Sequence, residues 1–446
     1  MDPYLLGVIA VIFLFLLLAL GTHIGLALAM VGLAGCAILT NFGQAINLSG
    51  TALYHKVASP ALITLPLFVL MGYLASGGGI SKNLYDSLSL WFGRVRGGLG
   101  IATTLGCTAF GTVCGSSLVT AAVFAKICAP EMRRYGYDKQ IAYGICAAAG
   151  SIGMLIPPSV LAIVYATLTG VSLGKVLMAG VAPGLIWASF FSLAIVIVGK
   201  LRPLKVPLSP VTSDTWQRRI KSLTLWWPIL VVAGVTFGGI YGGVFTPSEA
   251  AAVAAFVLMV MYFFVRILFK KGNERREGSK ELYSMFTDTA TTSAMVFLVM
   301  GCATIFSNFI ALSGLTTKIT SLITTLGLSK LSIVILFSFI YLVLGCFLDS
   351  ISMLCVTIPV FNPVIEASGI DPIWYATIVI VSIEIGLITP PFGLNLFAAK
   401  AVAQEDVRLE DVMVGTLPFL MAELLSLILL FVFPRLSTFL PSFVGY

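Results

Sequence analysis

The chain has 446 residues, of which 59% are hydrophobic and only 10% are charged, and its mean hydropathy is +1.04. Soluble domains carry about 25% charged residues. This composition therefore excludes an ordinary soluble protein and predicts an all-α polytopic membrane protein, whose spans need ~20 apolar residues each. The net charge of +7 does not indicate nucleic-acid binding, because the basic residues lie in short loops where they set membrane orientation.

The apolar runs follow one another with few polar interruptions. No cleavable signal is expected, because Met1-Asp2-Pro3 carries no basic side chain and the run from Tyr4 has the length of a span. Substantial polar linkers are expected only at 200–222 and 270–284. The predicted apolar runs cover roughly 4–21, 23–40, 57–76, 99–129, 140–169, 177–199, 225–244, 248–269, 285–312, 331–365, 373–403 and 411–434.

Several local patterns have simple structural interpretations. Residues 81–92 have apolar side chains at helical spacing, which predicts a short interfacial helix. Thr246 to Glu249 form a capping box, so Glu249 is interpreted as the cap of the next span. The eight cysteines lie singly without a CxxC pair and are interpreted as small core residues. With His23 and His55 the only histidines, a histidine-rich metal site is excluded.

One sequence pattern occurs twice. Residues 151–166 read SIGMLIPPSVLAIVYA and residues 384–399 read EIGLITPPFGLNLFAA, so that Pro157 and Pro390 correspond at an offset of 233. A double proline removes backbone donors and breaks a helix. Two such breaks at corresponding positions of two halves indicate the binding site of a transporter, whereas a single break would often be only a kink.

The runs 99–129 and 331–365 are too long for one tidy helix, and each has a polar break, at 111–117 and 345–350. Each is either a kinked crossing or a re-entrant hairpin. Loop charges decide, because basic residues flank both ends of the first run and place both ends in the cytoplasm. The first run is therefore predicted to be a hairpin, and symmetry extends this prediction to the second. The basic residues that set this orientation are Lys82, Arg94, Arg96, Arg133, Arg134, Lys139, Lys200, Arg202, Lys205, Arg218, Arg219 and Lys221.

Counting crossings then predicts the orientation of the two halves. Five crossings separate 57–76 from its counterpart at 285–312, and an odd number predicts an inverted repeat with two broken helices that meet near the midplane. The predicted organisation is 1–56, N-terminal scaffold helices; 57–199, first inverted repeat with hairpin 99–129 and broken helix 140–169; 200–284, central linker and scaffold helix pair; and 285–446, second inverted repeat with hairpin 331–365 and broken helix 373–403.

Candidate ligands lie at the hairpin tips and at the helix breaks. Hydroxyls, a carboxylate and carbonyls freed by proline suit sodium, and half-helix N-termini suit an anionic substrate. The first tip and break contain Gly115, Ser116, Ser117, Thr120, Gly150, Ser151, Gly153, Pro157 and Pro158. The second contain Asp349, Ser350, Ser352, Gly386, Thr389, Pro390, Pro391, Gly393 and Asn395.

Structural alternatives exist for the same residues. Asp349 is predicted to be functional because a carboxylate within the membrane is costly, and its alternative is a helix cap without a ligand. The Gly-Ser-Ser tip is alternatively a site of tight helix packing. Glu384, which stands where the first pattern has Ser151, is a gate, a proton site or a pore-facing residue. Lys126 is expected to extend along its hairpin to the cytoplasmic face.

The motifs together resemble those of a known family. The chain is similar to the large membrane subunit of the tripartite ATP-independent periplasmic (TRAP) transporters over nearly its whole length. The resemblance implies a sodium-driven secondary transporter with an elevator fold in the bacterial inner membrane. It implies import of an organic acid, such as sialic acid or a C4-dicarboxylate, delivered by a periplasmic binding protein, and a small membrane subunit of four helices. The motifs are GTVCGSSLVTAA, IPPSVLAIVYA, GVAPG, GGVFTPSEAAAVAA, GCFLDSISMLCVTIPVFNPV and GLITPPFGLNLF.

The resemblance also assigns site residues. No cofactor is implied, and sodium is the only metal ion. The first sodium site is assigned to Gly115, Ser116, Ser117, Ser151, Gly153 and Pro157, and the second to Asp349, Ser350, Gly386, Thr389 and Pro390. Candidate substrate-binding residues are Thr120, Ser159, Ser352, Gly393 and Asn395. The first tip departs from the family pattern GSSxAT, since Leu118-Val119-Thr120 follows the serines, and two sodium sites of unequal character are expected.

Two other classes of function compete with this interpretation. A stand-alone sodium–dicarboxylate symporter of similar architecture would need no binding protein. An intramembrane aspartyl protease would need a second membrane carboxylate paired with Asp349, and only Glu384 and Glu423 are available. No metal cluster or nucleophile–base pair in the sequence supports hydrolysis, so a transporter is expected rather than an enzyme.

Overall fold

The computed structural model describes residues 2–93, 95–207, 216–268 and 270–443, and the described residues are mostly helical. Arg94, Phe269 and residues 208–215, which fall in a predicted loop, an apolar run and a linker, lie outside the described residues. The helices up to the first broken pair are α1 (Pro3–Ala19), α2 (Ile24–Leu39), α3 (Phe42–Val57), α4 (Thr64–Gly77), α5 (Ile80–Phe92), α6 (Gly98–Cys114), α7 (Ser117–Arg134), α8 (Lys139–Leu155) and α9 (Val160–Thr169).

The remaining helices continue this order. They are α10 (Leu173–Ala179), α11 (Val181–Leu201), α12 (Trp216–Leu223), α13 (Trp227–Ala233), α14 (Gly239–Tyr241), α15 (Pro247–Tyr262), α16 (Asn273–Leu312), α17 (Leu315–Thr325), α18 (Lys330–Gly345), α19 (Ser350–Ala367), α20 (Pro372–Ile388), α21 (Leu394–Ala401), α22 (Leu409–Val432) and α23 (Arg435–Thr438). Short 3₁₀ segments cover Pro60–Ile63, Thr224–Trp226 and Leu440–Phe443, and π segments cover Gly234–Gly238 and Phe263–Leu268. Within the described residues, six helices are long and apolar enough to cross a membrane, or up to eight if each of two bent pairs is one span.

Helices α6 and α7, and likewise α18 and α19, fold back on one another as helical hairpins. The Thr103 hydroxyl on α6 lies 4.0 Å from the sulfur of Met132 on α7, a contact that a single kinked crossing could not make. In the second hairpin, the Thr357 hydroxyl on α19 lies 2.8 Å from the hydroxyl of Tyr341 on α18. The first tip is the two residues between α6 and α7, and the second is the four residues between α18 and α19.

The repeat offset of 233 recurs in the helix boundaries. α7 and α19 begin and end 233 residues apart, and so do α8 and α20. Asp138 and Asp371, also 233 apart, cap these last two helices by accepting hydrogen bonds from Gln140 N at 2.8 Å and Ile373 N at 2.8 Å. Each of these helices therefore begins at an aspartate cap and ends just before a double proline.

The two broken helices run in opposite directions along α22. Lys139 and Asp411 pair at 2.6 Å at the starts of α8 and α22, and further along Ser151 lies 2.7 Å from Glu423. Both pairs are 272 residues apart, so α8 and α22 are parallel. Trp374 at the start of α20 instead donates to the carbonyl of Leu430 near the end of α22 at 3.0 Å. Therefore α20 is antiparallel to α22 and to α8.

Polar contacts join loops of the two halves at one end of the bundle. The Arg133 guanidinium donates to Asp406 at 2.7 and 2.8 Å and holds the pKa of that carboxyl below its usual value. Lys205 pairs with Asp138 at 3.3 Å and so joins the loop after α11 to the same cluster. The basic residues that are predicted to be cytoplasmic near 133–139 and at 205 thus lie together.

Some elements differ from the sequence predictions. Residues 273–284, expected to be part of a polar linker, form the first turns of α16, because tertiary packing extends the helix beyond its apolar part. Helices α3 and α17 fall outside the predicted runs. The helix predicted over 81–92 and the capping box at Thr246 are confirmed, and seven of the eight unpaired cysteines are buried, Cys346 being half-buried.

Candidate functional site

The first hairpin tip packs directly on the first helix break. Gly115 ends α6 with a φ of +65°, and a Cβ there would lie 2.5 Å from the carbonyl oxygen of Pro158. Its own carbonyl accepts a hydrogen bond from Val160 N at 3.2 Å. Only glycine combines this backbone conformation with so close an approach. The tip and the break of the first half therefore form one unit.

The break frees backbone carbonyls beside the tip. Pro157 and Pro158 lack N–H groups, so the carbonyls of Gly153 and Met154 lose the donors that would follow four residues later. A Cβ on Gly153 would lie 2.6 Å from the Thr120 hydroxyl, which places this turn of α8 against α7. Freed carbonyl oxygens next to serine hydroxyls are suitable ligands for a hard cation.

The second hairpin tip meets the second break in a similar way. Gly345 and Gly386 are in such close contact that a Cβ on Gly386 would lie 2.7 Å from the Cα of Gly345. The thiol of Cys346 lies 3.9 Å from the carbonyl oxygen of Pro390. Thr389 lies at the break with its hydroxyl donating to the carbonyl of Ile385 at 2.7 Å. The second set of predicted sodium residues is thus also assembled around one tip and one break.

Asp349 and Ser116 are the helix caps of the two tips. A side-chain oxygen of Asp349 accepts from Ser352 N at 3.1 Å at the start of α19, and the Ser116 hydroxyl accepts from Val119 N at 3.5 Å at the start of α7. The structural alternative for Asp349, a helix cap, is therefore observed. Capping uses one carboxylate oxygen and leaves the other available for a ligand.

A cavity of about 190 Å³ lies between the two tips. One side is lined by residues 116–119, at the first tip and the start of α7, and the other by residues 349–351, at the second tip and the start of α19. Helices α4 and α16 complete the wall with Tyr73, whose hydroxyl lies 3.2 Å from that of Thr292, and with Met295. A second cavity of about 230 Å³, lined by His23 and Ser352 among others, also touches Asp349.

The charge around the cavity between the tips is unusual for an anion site. Among the described lining residues the only charged side chain is that of Asp349. The positive ends of α7 and α19 point to the cavity through their first residues, Ser117 and Ser350. An organic anion bound here would therefore meet no positively charged side chain among the described lining residues.

Two of the three serines of the first predicted site, Ser117 and Ser151, have carboxylate partners from elsewhere in the chain. Ser117 donates to Oε1 of Glu384 on α20 at 3.3 Å. The hydroxyl of Ser151 lies 2.7 Å from Oε1 of Glu423 and 2.5 Å from the carbonyl of Ala148. The structure therefore places Ser151 toward α22, while Gly153 on the same helix lies against the hairpin.

The substrate residues proposed from the sequence are only partly brought together. Thr120 donates to the carbonyl of Ser116 at 2.8 Å, and Ser159 caps α9 by accepting from Ala162 N at 3.2 Å. Asn395 is fully buried in α21, and its amide has no hydrogen-bond partner among the described residues. Gly393 lies at the start of the same helix. Of the five candidates, Ser352 is the one among the lining residues of the two cavities described above.

Sequence reasoning missed the cavity residues on the other helices. Tyr73, Thr292 and Met295 lie on α4 and α16, outside the repeated double-proline pattern. The signal that could have found two of them is a polar side chain inside an apolar run, as at Tyr73 and Thr292. Only the tertiary arrangement identifies which of many such residues faces the tips.

Comparison with known proteins gives consistent matches along the chain. The family model of the "Tripartite ATP-independent periplasmic transporter, DctM component" matches residues 11–436. The chain is 34% identical over 420 residues to a C4-dicarboxylate TRAP transporter large permease protein of Pseudomonas aeruginosa, covering 93% of this chain and 94% of that one. It is 29% identical over 435 residues to a sialic acid TRAP transporter large permease protein of Vibrio cholerae, covering 96% and 97%.

A solved structure has a similar fold. The YdaH transporter of Alcanivorax borkumensis, whose crystal structure shows an unusual topology, superposes with a TM-score of 0.62 over 97% of this chain and 98% of that one. The sequences are 18% identical, so the similarity concerns the fold alone. The named relatives are permeases, and the chain is a transport protein rather than the intramembrane enzyme considered above.

Proposed function

Because the chain belongs to the DctM component family of the tripartite ATP-independent periplasmic transporters, we propose that it is the transport subunit of a sodium-coupled importer of organic acids in the bacterial inner membrane. The observation that carries this proposal is the cavity between the two hairpin tips. Residues of both halves line it, and each half supplies a hairpin tip that packs on its own helix break. A substrate bound there would contact both halves at once.

Sodium coupling is supported by the charges around this cavity. The carboxylate of Asp349 would repel an organic acid. Sodium ions bound at the tips would offset this repulsion and add to the field of the two helix N-termini. In this mechanism sodium binds first and orders both tips, and the acid then binds between them.

An inverted repeat and elevator movement are part of the proposal. Helices α8 and α20 correspond in sequence yet run antiparallel, as their contacts along α22 indicate. Re-entrant hairpins that enter from opposite faces would then carry the cavity with them as one unit. Helices α4 and α16, which form its other wall, would belong to the static scaffold.

The proposed partners are a small membrane subunit of four helices and a periplasmic binding protein. The matched family is named for a tripartite system, and this chain would be its large component. The alternative, a stand-alone sodium–dicarboxylate symporter, is less well supported, because the curated relatives are TRAP permeases over nearly the whole chain.

We propose a C4-dicarboxylate-like acid as the substrate in preference to a sialic acid. The cavity of about 190 Å³ is smaller than the roughly 300–1,000 Å³ of sites for drug-sized ligands. A small dicarboxylate fits such a volume better than a bulky sugar acid. The relative with 34% identity is a C4-dicarboxylate permease.

Reconstitution tests the proposal. The chain would be placed in liposomes with the proposed small subunit and the proposed periplasmic binding protein, and uptake of radiolabelled succinate would be measured with and without an inward sodium gradient. We expect uptake only with all three proteins and the gradient. Uptake by the chain without the binding protein would favour the stand-alone symporter, and uptake with potassium in place of sodium would refute the coupling.

A further inference from the structure

Two short helices, α5 and α12, are joined at two points on the side of the bundle that is predicted to be cytoplasmic. The hydroxyl of Ser87 on α5 donates to that of Ser222 on α12 at 2.9 Å, and the rings of Trp91 and Trp216 meet edge to face with their centroids 5.5 Å apart. Residues three or four apart on a helix share one face. Arg219, which is three residues from both Trp216 and Ser222, therefore lies on the face of α12 that meets α5, between the two contacts.

Two hydrogen-bond donors in this crevice have no partner. Nε and Nη2 of Arg219 are shielded from solvent without a hydrogen-bond partner among the described residues, and so is the indole Nε1 of Trp91. No ion pair within the part of the chain that the structure describes includes Arg219. The neighbouring indole of Trp226, in contrast, donates to Ser87 at 2.9 Å. A shielded guanidinium without an acceptor is costly unless a ligand satisfies it.

The chemistry of these donors defines the ligand that would fit them. A guanidinium and an indole N–H can only donate, so the ligand must present acceptor oxygens. The charge of Arg219 favours an anion, and a phosphate group matches the planar fork of a guanidinium while keeping further oxygens for a second donor such as Trp91. Arg218 and Lys221 are exposed on the same helix and add to the positive potential around the crevice.

The apolar surface of α12 favours a lipid over a free phosphate ion as the source of this group. The side chains of Trp216, Ile220 and Leu223 are exposed on the same helix as the basic residues, with Trp216 62% exposed and Ile220 50% exposed. A helix that presents both apolar and basic side chains lies in the membrane interface, where tryptophan is also enriched at the level of the headgroups.

We propose that an anionic phospholipid of the cytoplasmic leaflet binds between α5 and α12, with its phosphate group held by Arg219 and Trp91. Its acyl chains would lie against the exposed apolar side chains of α12. Arg219 is half-buried, so that the crevice reaches the surface of the protein.

This site would connect two parts of the molecule with different predicted roles. Helix α5 leads directly to α6, the first helix of the first hairpin, whereas α12 precedes the helices of the predicted scaffold pair. A lipid held by both helices would strengthen the contact between hairpin and scaffold at the membrane surface. The inference goes beyond the proposed function, because it depends neither on sodium coupling nor on the identity of the transported acid.

Titration of the purified transporter complex in detergent with phosphatidylglycerol, followed by native mass spectrometry, tests the proposal. We expect Arg219→Gln to raise the dissociation constant of the tightest lipid-binding step at least about fivefold, because charge-assisted hydrogen bonds to the phosphate are lost. Arg275→Gln removes an exposed positive charge on α16, away from α5 and α12, and should leave this constant unchanged. Equal affinities of the wild type and Arg219→Gln for phosphatidylglycerol would overturn the proposal.

A milder variant guards against misfolding of α12. Trp91→Phe keeps an aromatic ring against Trp216 and removes only the indole N–H, so we expect the dissociation constant for phosphatidylglycerol to rise about two- to fivefold. Trp227→Phe, a change of an exposed indole at the start of α13, is the control and should have no effect. Unchanged affinity in Trp91→Phe would overturn the assignment of Trp91.

Two further ligands distinguish the source of the phosphate group. Phosphatidylcholine carries a phosphate but no net charge, and we expect it to bind the wild type more weakly than phosphatidylglycerol does. Equally tight binding of the two lipids would refute the preference for an anionic lipid. Displacement of phosphatidylglycerol by millimolar inorganic phosphate would show that the crevice binds the free ion, and the lipid would then be the wrong ligand.

Discussion

A Cβ atom on Gly144 would lie 2.2 Å from the backbone carbonyl carbon of Gly415, so α8 and α22 touch backbone to backbone. This contact fixes the spacing at which Ser151 meets Glu423 further along the same two helices. Neither backbone can move without disturbing that register. The close approach of these two glycines therefore positions the polar residues in the core.

We expect Gly144→Ala to destabilise the protein. Overpacking costs about 1–3 kcal/mol in well-packed cores, and here the obstacle is backbone rather than a flexible side chain. The apparent melting temperature in detergent, followed by size-exclusion chromatography after heating, should fall by several degrees. Gly50→Ala is the control, because Gly50 is an exposed helical glycine with open space around it, and it should be neutral or slightly stabilising. Equal melting temperatures for the two variants would contradict the close packing.

Gly115→Ala tests the contact between the first tip and its break. The variant must place a methyl group 2.5 Å from the carbonyl oxygen of Pro158 in a left-handed backbone conformation. We expect the sodium concentration for half-maximal uptake to rise at least about tenfold, since 1.4 kcal/mol corresponds to a factor of ten. Gly170→Ala carries the same backbone strain, with a φ of +76°, but has nothing within 4 Å. If both variants impaired sodium dependence equally, strain alone would explain the effect.

Asp349→Asn separates the two roles of Asp349. In the wild type, the Asp349 carboxylate accepts a hydrogen bond from Ser352 N at 3.1 Å. Asparagine can accept the same capping hydrogen bond but carries no charge. Losing a charged ligand is worth roughly 1.5–3 kcal/mol, so we expect the apparent sodium affinity in uptake assays to fall roughly 10- to 100-fold. Asp349→Ala should lower the sodium dependence at least as much.

The control for Asp349 is the exposed cap of α20. Asp371 also accepts hydrogen bonds from the start of its helix, at 2.8 and 2.9 Å, and lies outside the tips. Asp371→Asn should leave sodium affinity unchanged. Unaltered sodium coupling in Asp349→Asn would show that Asp349 acts only as a cap.

Much of the fold could be predicted from the sequence because repetition and loop charge are local signals. The offset of Pro157 and Pro390 predicted helix boundaries that recur at the same spacing in the structure. The start of α16 was not predicted, because its first turns are polar and depend on tertiary packing. Helix α3 was missed for a related reason, although Asn41 is a recognisable cap that accepts from Gln44 N at 2.9 Å.

The candidate site was predictable to a smaller extent. The tips and the breaks were identified from glycine, serine and proline, whose backbone roles are visible in sequence. The pairing of Ser117 with Glu384 was not, because the residues are 267 positions apart and only the tertiary fold brings the start of α7 to α20. The same reason applies to Tyr73 at the wall of the cavity.

The inverted repeat predicts that corresponding residues of the two halves face opposite sides of the membrane. Arg134 and Ala367 are the last residues of α7 and α19, lie 233 residues apart and are both exposed. We expect a membrane-impermeant maleimide to label Ala367→Cys in intact spheroplasts and to label Arg134→Cys only after permeabilisation. Arg134 is predicted to be cytoplasmic because it lies in a cluster of basic residues.

The native cysteines set the background for this labelling experiment. Seven of them are buried and Cys346 is half-buried at the second tip, so each variant is made in a Cys346→Ala chain, and that chain without a new cysteine is the control. Labelling of both positions from the same side would contradict the inversion, because an even number of crossings would then separate them. The two breaks would in that case approach the cavity from one face, and an elevator built on opposed hairpins would be ruled out.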